Sequence, residues 1–595
     1  MSAPIEDYAL IGDCHGAGLV SKSGSIDWLC VPRFDSGACF AALLGGPEHG
    51  HWQIAPRAPI RAVRRRYVGE SLVLETEFET ADGVVCITDC MPPESQAVDV
   101  VRLVEGKSGR VAMHMELVIR FDYGSIVPWV THERDGLRAI AGPDMLHLHT
   151  PVPVKGRALT SVADFEVSAG ERVPFVMTFH PSHREEPIPI DAAATISRTL
   201  EWWFRWSKQS TYSGRYREAV QRSLIVLKAL TYAPTGGIVA APTTSLPETL
   251  GGVRNWDYRY CWLRDATITL YTLLLAGYTE EAREWREWLL RAVAGSPSQT
   301  QIMYGIAGER RLTESELPWL PGYEGSRPVR VGNAAHSQLQ LDVYGEVLDA
   351  MHQCRCQGLE SEQSWRLEQA LLDFLEGNWH LPDRGIWEVR GPARHLTHSK
   401  VMVWVAFDRA IRAVERFGHD GPVARWRAIA EEIRLEVLTR GFSSKKNSFT
   451  QSYDSEELDA SLLLIPLVGF LPASDPRVRG TVEAIERELV KDGFVERYRT
   501  RTELDGLPSG EGAFLACSFW LVNNLVLLGR KAEAEQLFER LLAIRNDVGL
   551  LAEEYDAGSR RQLGNFPQAF SHLTLVDAAQ ALSEEGDGPA KHRAG

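Results

Sequence analysis

The chain of 595 residues lacks the features that would seat it in a membrane or on a nucleic acid. Its longest apolar stretches, such as Leu462 to Leu471, fall far short of the ~20 residues a membrane-spanning helix needs. Met1 to Asp7 holds no basic segment leading into an apolar run, so no secretory leader is expected. Basic charge is in deficit: 64 Lys and Arg face 79 Asp and Glu, a net charge of −15. That balance disfavours nucleic acid and anionic lipid as partners, because both select a basic face. Cysteine is sparse, odd in number (nine) and without metal-ligand spacing; Cys354 and Cys356 are two apart and no His cluster accompanies them. The expectation is reduced thiols in a cytoplasmic protein, with no metal site.

Aromatic residues are plentiful instead, with 17 Trp and 16 Tyr. Most such rings fill cores, but flat rings also stack on the C–H faces of sugars. At this length two domains are expected, and the hydrophobic period changes once along the chain. Up to about residue 190 apolar residues alternate, as in Ser71 to Thr80 (SLVLETEFET), and Gly, Asp and Pro mark turns. That pattern predicts an antiparallel β-sandwich over 1–190. Residues 191–212 read as a linker helix. From 213 to 583 about a dozen helix-length segments follow one another, 334–355, 456–466 and 511–528 among them, many paired across short Gly- or Pro-containing turns, which suits a double-layered α/α toroid. The tail 584–595 (EEGDGPAKHRAG) reads as disordered.

Three segments break the amphipathic pattern. Asn255 to Asp265 (NWDYRYCWLRD) interleaves rings with charge and ends in Arg264–Asp265 ahead of an apolar helix. Asp265 could simply be an N-terminal helix charge. The density of rings around a paired donor and acceptor is also what a buried hexose requires. Gly385 to Lys400 (GIWEVRGPARHLTHSK) sets Glu388 beside Trp387 in a Gly/Pro-bounded loop, with Arg390, Arg394, His395 and His398 following. A carboxyl against an indole is desolvated, which raises its pKa towards that of a general acid; a surface Glu paired with an Arg is the plainer account. Leu551 to Ser571 (LAEEYDAGSRRQLGNFPQAFS) carries Glu553, Glu554 and Asp556 around Tyr555. It reads as a solvated acidic loop or as the second carboxyl of a glycosidase pair, one protonating the leaving oxygen and the other serving water. A metal-dependent α-barrel enzyme of the terpene-cyclase kind would need a DDxxD cluster, which the sequence lacks.

Taken together, IEDYALIGDCHGAGLVSKSGSIDWLCVPRFDS at 5–36, RNWDYRYCWLRDA, VGNAAHSQLQLDVYGE, GIWEVRG…HSKVMVWVAFDRA and EEYD…QLGNFPQAFSH resemble glycoside hydrolase family 15 over nearly the whole chain. The opening resembles that family's bacterial trehalase-like branch. The resemblance implies an N-terminal β-sandwich, a linker helix and an (α/α)6 catalytic barrel. It also implies an inverting, exo-acting hydrolysis of α-glucosides, with Glu388 as general acid and Glu553 as general base. Asp257, Tyr258, Trp262, Arg264 and Asp265 would hold the non-reducing glucose. Arg330, Asn333, Trp387, Arg390, His395 and Phe570 complete the implied substrate-binding set.

Departures from the glucoamylase pattern fall on the leaving-group side: Val389 follows the acid, SRPVRVGN lacks a preceding Trp, and Phe570 stands where a Trp is usual. Trehalose is therefore the leading expected substrate, with a maltose- or isomaltose-type oligosaccharide as the alternative within the family. A carbohydrate-binding protein without turnover is the rival from another class, and retention of both carboxyls speaks against it. No cofactor is required on this reading. Stimulation by phosphate or a divalent ion stays open, as does homo-oligomerisation.

Overall fold

One long strand organises the β half. In the computed structural model, which describes residues 2–583 except 96, 186–187, 360–361, 501–505 and 509, Val98–Val118 is a single extended strand. Its first half pairs with Gly83–Cys90 and Arg172–Pro181, its second with His51–Pro56 and Thr160–Ser168, always antiparallel. Two layers thus share one strand, and their inner faces meet. Leu74, Thr76 and Phe78 point inward and are buried. Glu75 and Glu77, which alternate with them, reach Arg66 and Arg64 on the neighbouring strand. Arg102 ties the layers internally, donating to Asp89 at 2.8 Å and to the carbonyls of Trp52 and Gly24. Paired in this way, a fully buried guanidinium is tolerated.

A connecting helix, α1 (Ala192–Ser207), is capped by Asp191, whose side chain accepts from Ala194 N. Its Trp206 stacks on Tyr278 and donates to Glu281, which moors the helix to the barrel. Six helical elements then close an inner ring: α3 (Leu263–Leu275), α5 (Asp342–Cys356), α7 (Thr397–Phe417), the short α9 (Leu464–Leu467) with its preceding turn, α11 (Leu515–Leu527) and α13 (Ala569–Ser583), which returns to α3. Outside them lie α2 (Arg217–Ala229), α4 (Thr279–Val293), α6 (Glu362–Asn378), α8 (Val423–Arg440), α10 (Pro476–Glu488) and α12 (Lys531–Ala543). This is the expected (α/α)6 arrangement. Inner helices such as α11 and α13 are buried nearly all round, whereas α8 buries only Trp426, Ala430, Ile433 and Val437. Among the described residues no helix is long and apolar enough to cross a membrane.

Sequence and structure differ at three helix starts. The helix expected over 334–355 begins only at Asp342. Asn333 caps a separate turn at Ala334–Ser337, and the extended residues after it bring Gln338 onto the carbonyl of Glu388 at 3.2 Å. The helix expected from 511 begins at Leu515, because Ala513–Phe514 pairs with Glu554–Asp556 as a strand. The helix expected over 456–466 is a tight turn at Ala460–Leu463 capped by Asp459, followed by one helical turn. A side-chain bond in the first case, strand pairing in the second and a side-chain cap in the third outweigh helical propensity. The tail 584–595 lies outside the described residues.

Candidate active site

The inner helices α3, α5, α7 and α13 begin at the same end of the barrel, where the connecting loops build a cavity of about 580 Å³ counting its mouth. Tyr258, Arg264, Asn333, Trp387, Glu388 and Arg390, all expected from sequence, line it. So do Glu248, Arg254, Trp256, Arg497 and Phe514, which were not expected.

Glu388 sits in the loop between α6 and α7 with φ of +56°, in the left-handed region, its N–H bonded to Gly385 O at 3.0 Å. Non-glycine residues held there cluster at functional sites. Its Oε1 accepts from Trp262 Nε1 at 2.5 Å and lies 3.7 Å from Arg264 Nη1. The indole that bonds Glu388 is thus Trp262; the adjacent Trp387 turns its Nε1 to Asp459 at 2.9 Å. Burial pushes the Glu388 carboxyl up, against the pull of Arg264 and Trp262.

Glu553 is placed by a small sheet. Its N–H donates to Asn565 O, its carbonyl accepts from Leu515 N, and the strand Glu554–Asp556 continues between Ala513–Phe514 and Arg561–Leu563. Oε2 accepts from Asn565 N at 3.3 Å, while Oε1 is buried without a hydrogen-bond partner. Gly564 (φ +73°) makes the room: a Cβ there would lie 2.5 Å from that Oε2. Burial, then the charge of Glu248, pushes Glu553 up to about 8, with Arg497 and the Tyr258 hydroxyl opposing. Burial and the charges of Glu553, Glu248 and Glu388 push the Tyr258 hydroxyl up, and its ring packs edge-on against Trp262 at 5.1 Å.

Arg264 donates to Asp265 Oδ1 at 2.5 Å and to Ile386 O at 2.8 Å, with its guanidinium over the Phe570 ring. The other oxygen of Asp265 is buried and unbonded. Phe570 lies behind this clamp, packed on Phe514 and Trp520. Asp257 is occupied elsewhere: it grips Arg259 at 2.7 and 2.9 Å and accepts from Gly332 N at 3.0 Å. His395 stacks on Tyr453 and is not part of the cavity wall. Towards the mouth, Arg330 and Arg390 both lie over the Trp256 ring, at 4.6 and 4.7 Å, and both approach Glu314.

The unexpected residues come from short segments whose meaning appears only on folding. Arg497 donates to Glu248 at 2.8 Å and to Glu511 at 2.7 and 3.0 Å, and stands 3.3 Å from Glu554. Those three carboxyls are close enough together to hold a cation, but the Arg497 guanidinium bridges them and Arg254 stands 3.6 Å from Glu511. The one available signal was compositional: Glu511 stands at the head of the apolar run that begins at Ala513.

Comparison with known proteins gives this geometry its context. The "Glycosyl hydrolases family 15" profile matches residues 214–580, and a "Trehalase-like, N-terminal" profile matches 1–180. A trehalase of Mycolicibacterium smegmatis is 40% identical, covering 97% of this chain and 90% of its own. A trehalase of Thermoplasma volcanium is 34% identical, covering 98% and 94%. A bacterial glucoamylase solved with acarbose shares the fold with a TM-score of 0.74 over 98% of this chain and 94% of its own, at 12% identity. Matched across its barrel by the family profile and over nearly its full length by these relatives, the chain belongs to glycosyl hydrolase family 15 and is a glycoside hydrolase acting on α-glucosides.

Proposed function

We propose that the enzyme hydrolyses α,α-trehalose to glucose with inversion, Glu388 acting as general acid and Glu553 as general base. The observation that carries the substrate is that trehalases are 34–40% identical over nearly the whole chain, whereas the glucoamylase that shares the fold over the same length is 12% identical. The site suits the chemistry. One glucose sits against Tyr258, with the free oxygen of Asp265 and the Arg264 guanidinium taking its far hydroxyls. Glu388 gives its proton to the bridging oxygen as the C1–O bond breaks. Water enters from the opposite face and loses its proton to the unbonded Oε1 of Glu553. The departing glucose meets Asn333, Arg390 and Trp256, a donor-rich wall suited to a compact polar sugar.

No cofactor enters these steps, and phosphate or a divalent ion would act only as a modulator. The cytoplasm is the proposed compartment, in keeping with nine unpaired thiols, eight of them buried. Self-association is compatible with this reading. The test is kcat/KM on trehalose, maltose, isomaltose and maltoheptaose, with the first-formed anomer read by proton NMR. Trehalose should be preferred and give equal early α- and β-glucose, since the departing sugar keeps its configuration. Efficiency rising with maltooligosaccharide length, without trehalose cleavage, would restore a glucoamylase.

A further inference from the structure

The wall beside Glu553 holds another buried carboxyl. Glu248 follows the strand Thr244–Pro247, is 2% exposed and borders the cavity. Its backbone is fixed on both sides, N–H to Arg254 O at 3.1 Å and carbonyl to Gly512 N at 3.0 Å. Its Oε2 accepts from Arg497 Nη2 at 2.8 Å. Arg497 in turn lies over Trp387, neighbour of the acid, and over Phe514, whose strand pairs with the one that follows the base. One guanidinium therefore links both sides of the cavity, and Glu248 is one of its anchors.

The charged and titratable groups around Glu553 are Glu248 and Arg497, with Tyr258 towards the cavity and Glu554 behind. Glu511 and Arg254 complete the cluster, and Glu388 faces Tyr258 from the other side. The N–H of Gly564, the glycine packed against Glu553 Oε2, donates to Pro247 O at 2.8 Å, which sets Glu248 beside Glu553 in the fold; burial pushes the Glu248 and Glu554 carboxyls up as well.

We propose that Glu248 is a positioning residue for the water-activating step: it fixes Arg497 over Trp387 and Phe514 at the cavity wall and sets a second carboxyl beside Glu553. The proposal rests on Glu553 being the base. Burial and then the neighbouring Glu248 raise the proton affinity of Glu553, while the Glu511 carboxyl is spent on the Arg497 guanidinium at 2.7 and 3.0 Å. A stronger base takes the water proton more readily but ionises at higher pH.

The experiment is the pH profile of kcat/KM on trehalose, or on the α-glucoside found to be turned over, for the native enzyme, Glu248→Gln, Glu248→Asp and Glu511→Gln. Base activity needs ionised Glu553, so the acidic limb marks its titration. Removing the neighbouring charge in Glu248→Gln should move that limb down by about one pH unit and lower the plateau kcat several-fold, with KM changed little. Glu248→Asp keeps the charge and should keep the limb in place while kcat falls. Glu511→Gln should leave the limb within a few tenths of a unit. An unmoved limb in Glu248→Gln, or equal shifts in Glu248→Gln and Glu511→Gln, would overturn the proposal. If Glu248→Gln does not fold, a displaced limb in Glu248→Asp overturns it. Retained turnover in Glu553→Gln would instead remove the base assignment on which it rests.

Discussion

The two carboxyls proposed as acid and base are held by opposite means. Glu388 rides on a loop in a left-handed conformation, its side chain 17% exposed and bonded to an indole. Glu553 is 1% exposed and locked into a strand ladder on both sides. A general acid must regain its proton from solvent after each turnover and must meet leaving groups of varied shape, which a bordering loop permits. A general base in an inverting site serves one water in one place, which a rigid, enclosed position favours. The difference suggests that leaving-group tolerance was worked into the loop and water placement into the sheet.

The sharpest way to break this comparison is to remove each carboxyl. Glu388→Gln and Glu553→Gln should each lose about 10³-fold in kcat on trehalose. Only Glu388→Gln should keep turnover of α-glucosyl fluoride, whose leaving group needs no proton. Only Glu553→Gln should be rescued by azide, and the opposite pattern would exchange the roles. Glu553→Gln should also melt higher than the native enzyme. The carboxyl titrates near 8 when folded and near 4.3 unfolded, so its ionisation penalises the folded state increasingly as pH rises across that window. The Tm gain should accordingly be small at pH 4 and largest at pH 8.

A smaller effect is expected from the sugar clamp. Asp265→Asn leaves the Arg264 bond to Ile386 O intact but weakens the acceptor offered to a hydroxyl. At about 1.5–3 kcal/mol for a charged hydrogen bond, kcat/KM should fall at least about tenfold with little change in Tm. Full activity would make Asp265 a helix-end charge and nothing more. The smallest change is Trp262→Phe, which removes the donor that favours ionised Glu388. Glu388 should then keep its proton to higher pH, moving the basic limb of the profile up by a few tenths of a unit while the acidic limb stays put.

The period change near residue 190 made the fold legible, because alternation and helical spacing survive any tertiary context that buries one face. Glu388 was singled out by an adjacent indole and Glu553 by a cluster of carboxyls, and in the structure burial pushes both carboxyls up. The surroundings were less legible. Which indole bonds the acid could not be read, since Trp262 is 126 positions from Glu388. Arg497 looks like any surface arginine in ERYRTR and acquires meaning only through carboxyls at 248, 511 and 554. Asp257 stands within a sugar-binding motif, yet its oxygens are taken by Arg259 and Gly332. A one-dimensional pattern names side chains but not their partners.

Arg259 also reaches outward. Its Nη1 donates to Ser36 O in the β half at 2.9 Å, and Trp28 from the same half donates to Pro242 O at 2.8 Å. The turn that presents Tyr258 and Trp262 is therefore braced from outside the barrel that contains them. Cut away from its β partner, the barrel would keep a buried cation whose outer acceptor had gone, and the sugar-facing turn would loosen with it. The two halves are consequently poor candidates for exchange as modules.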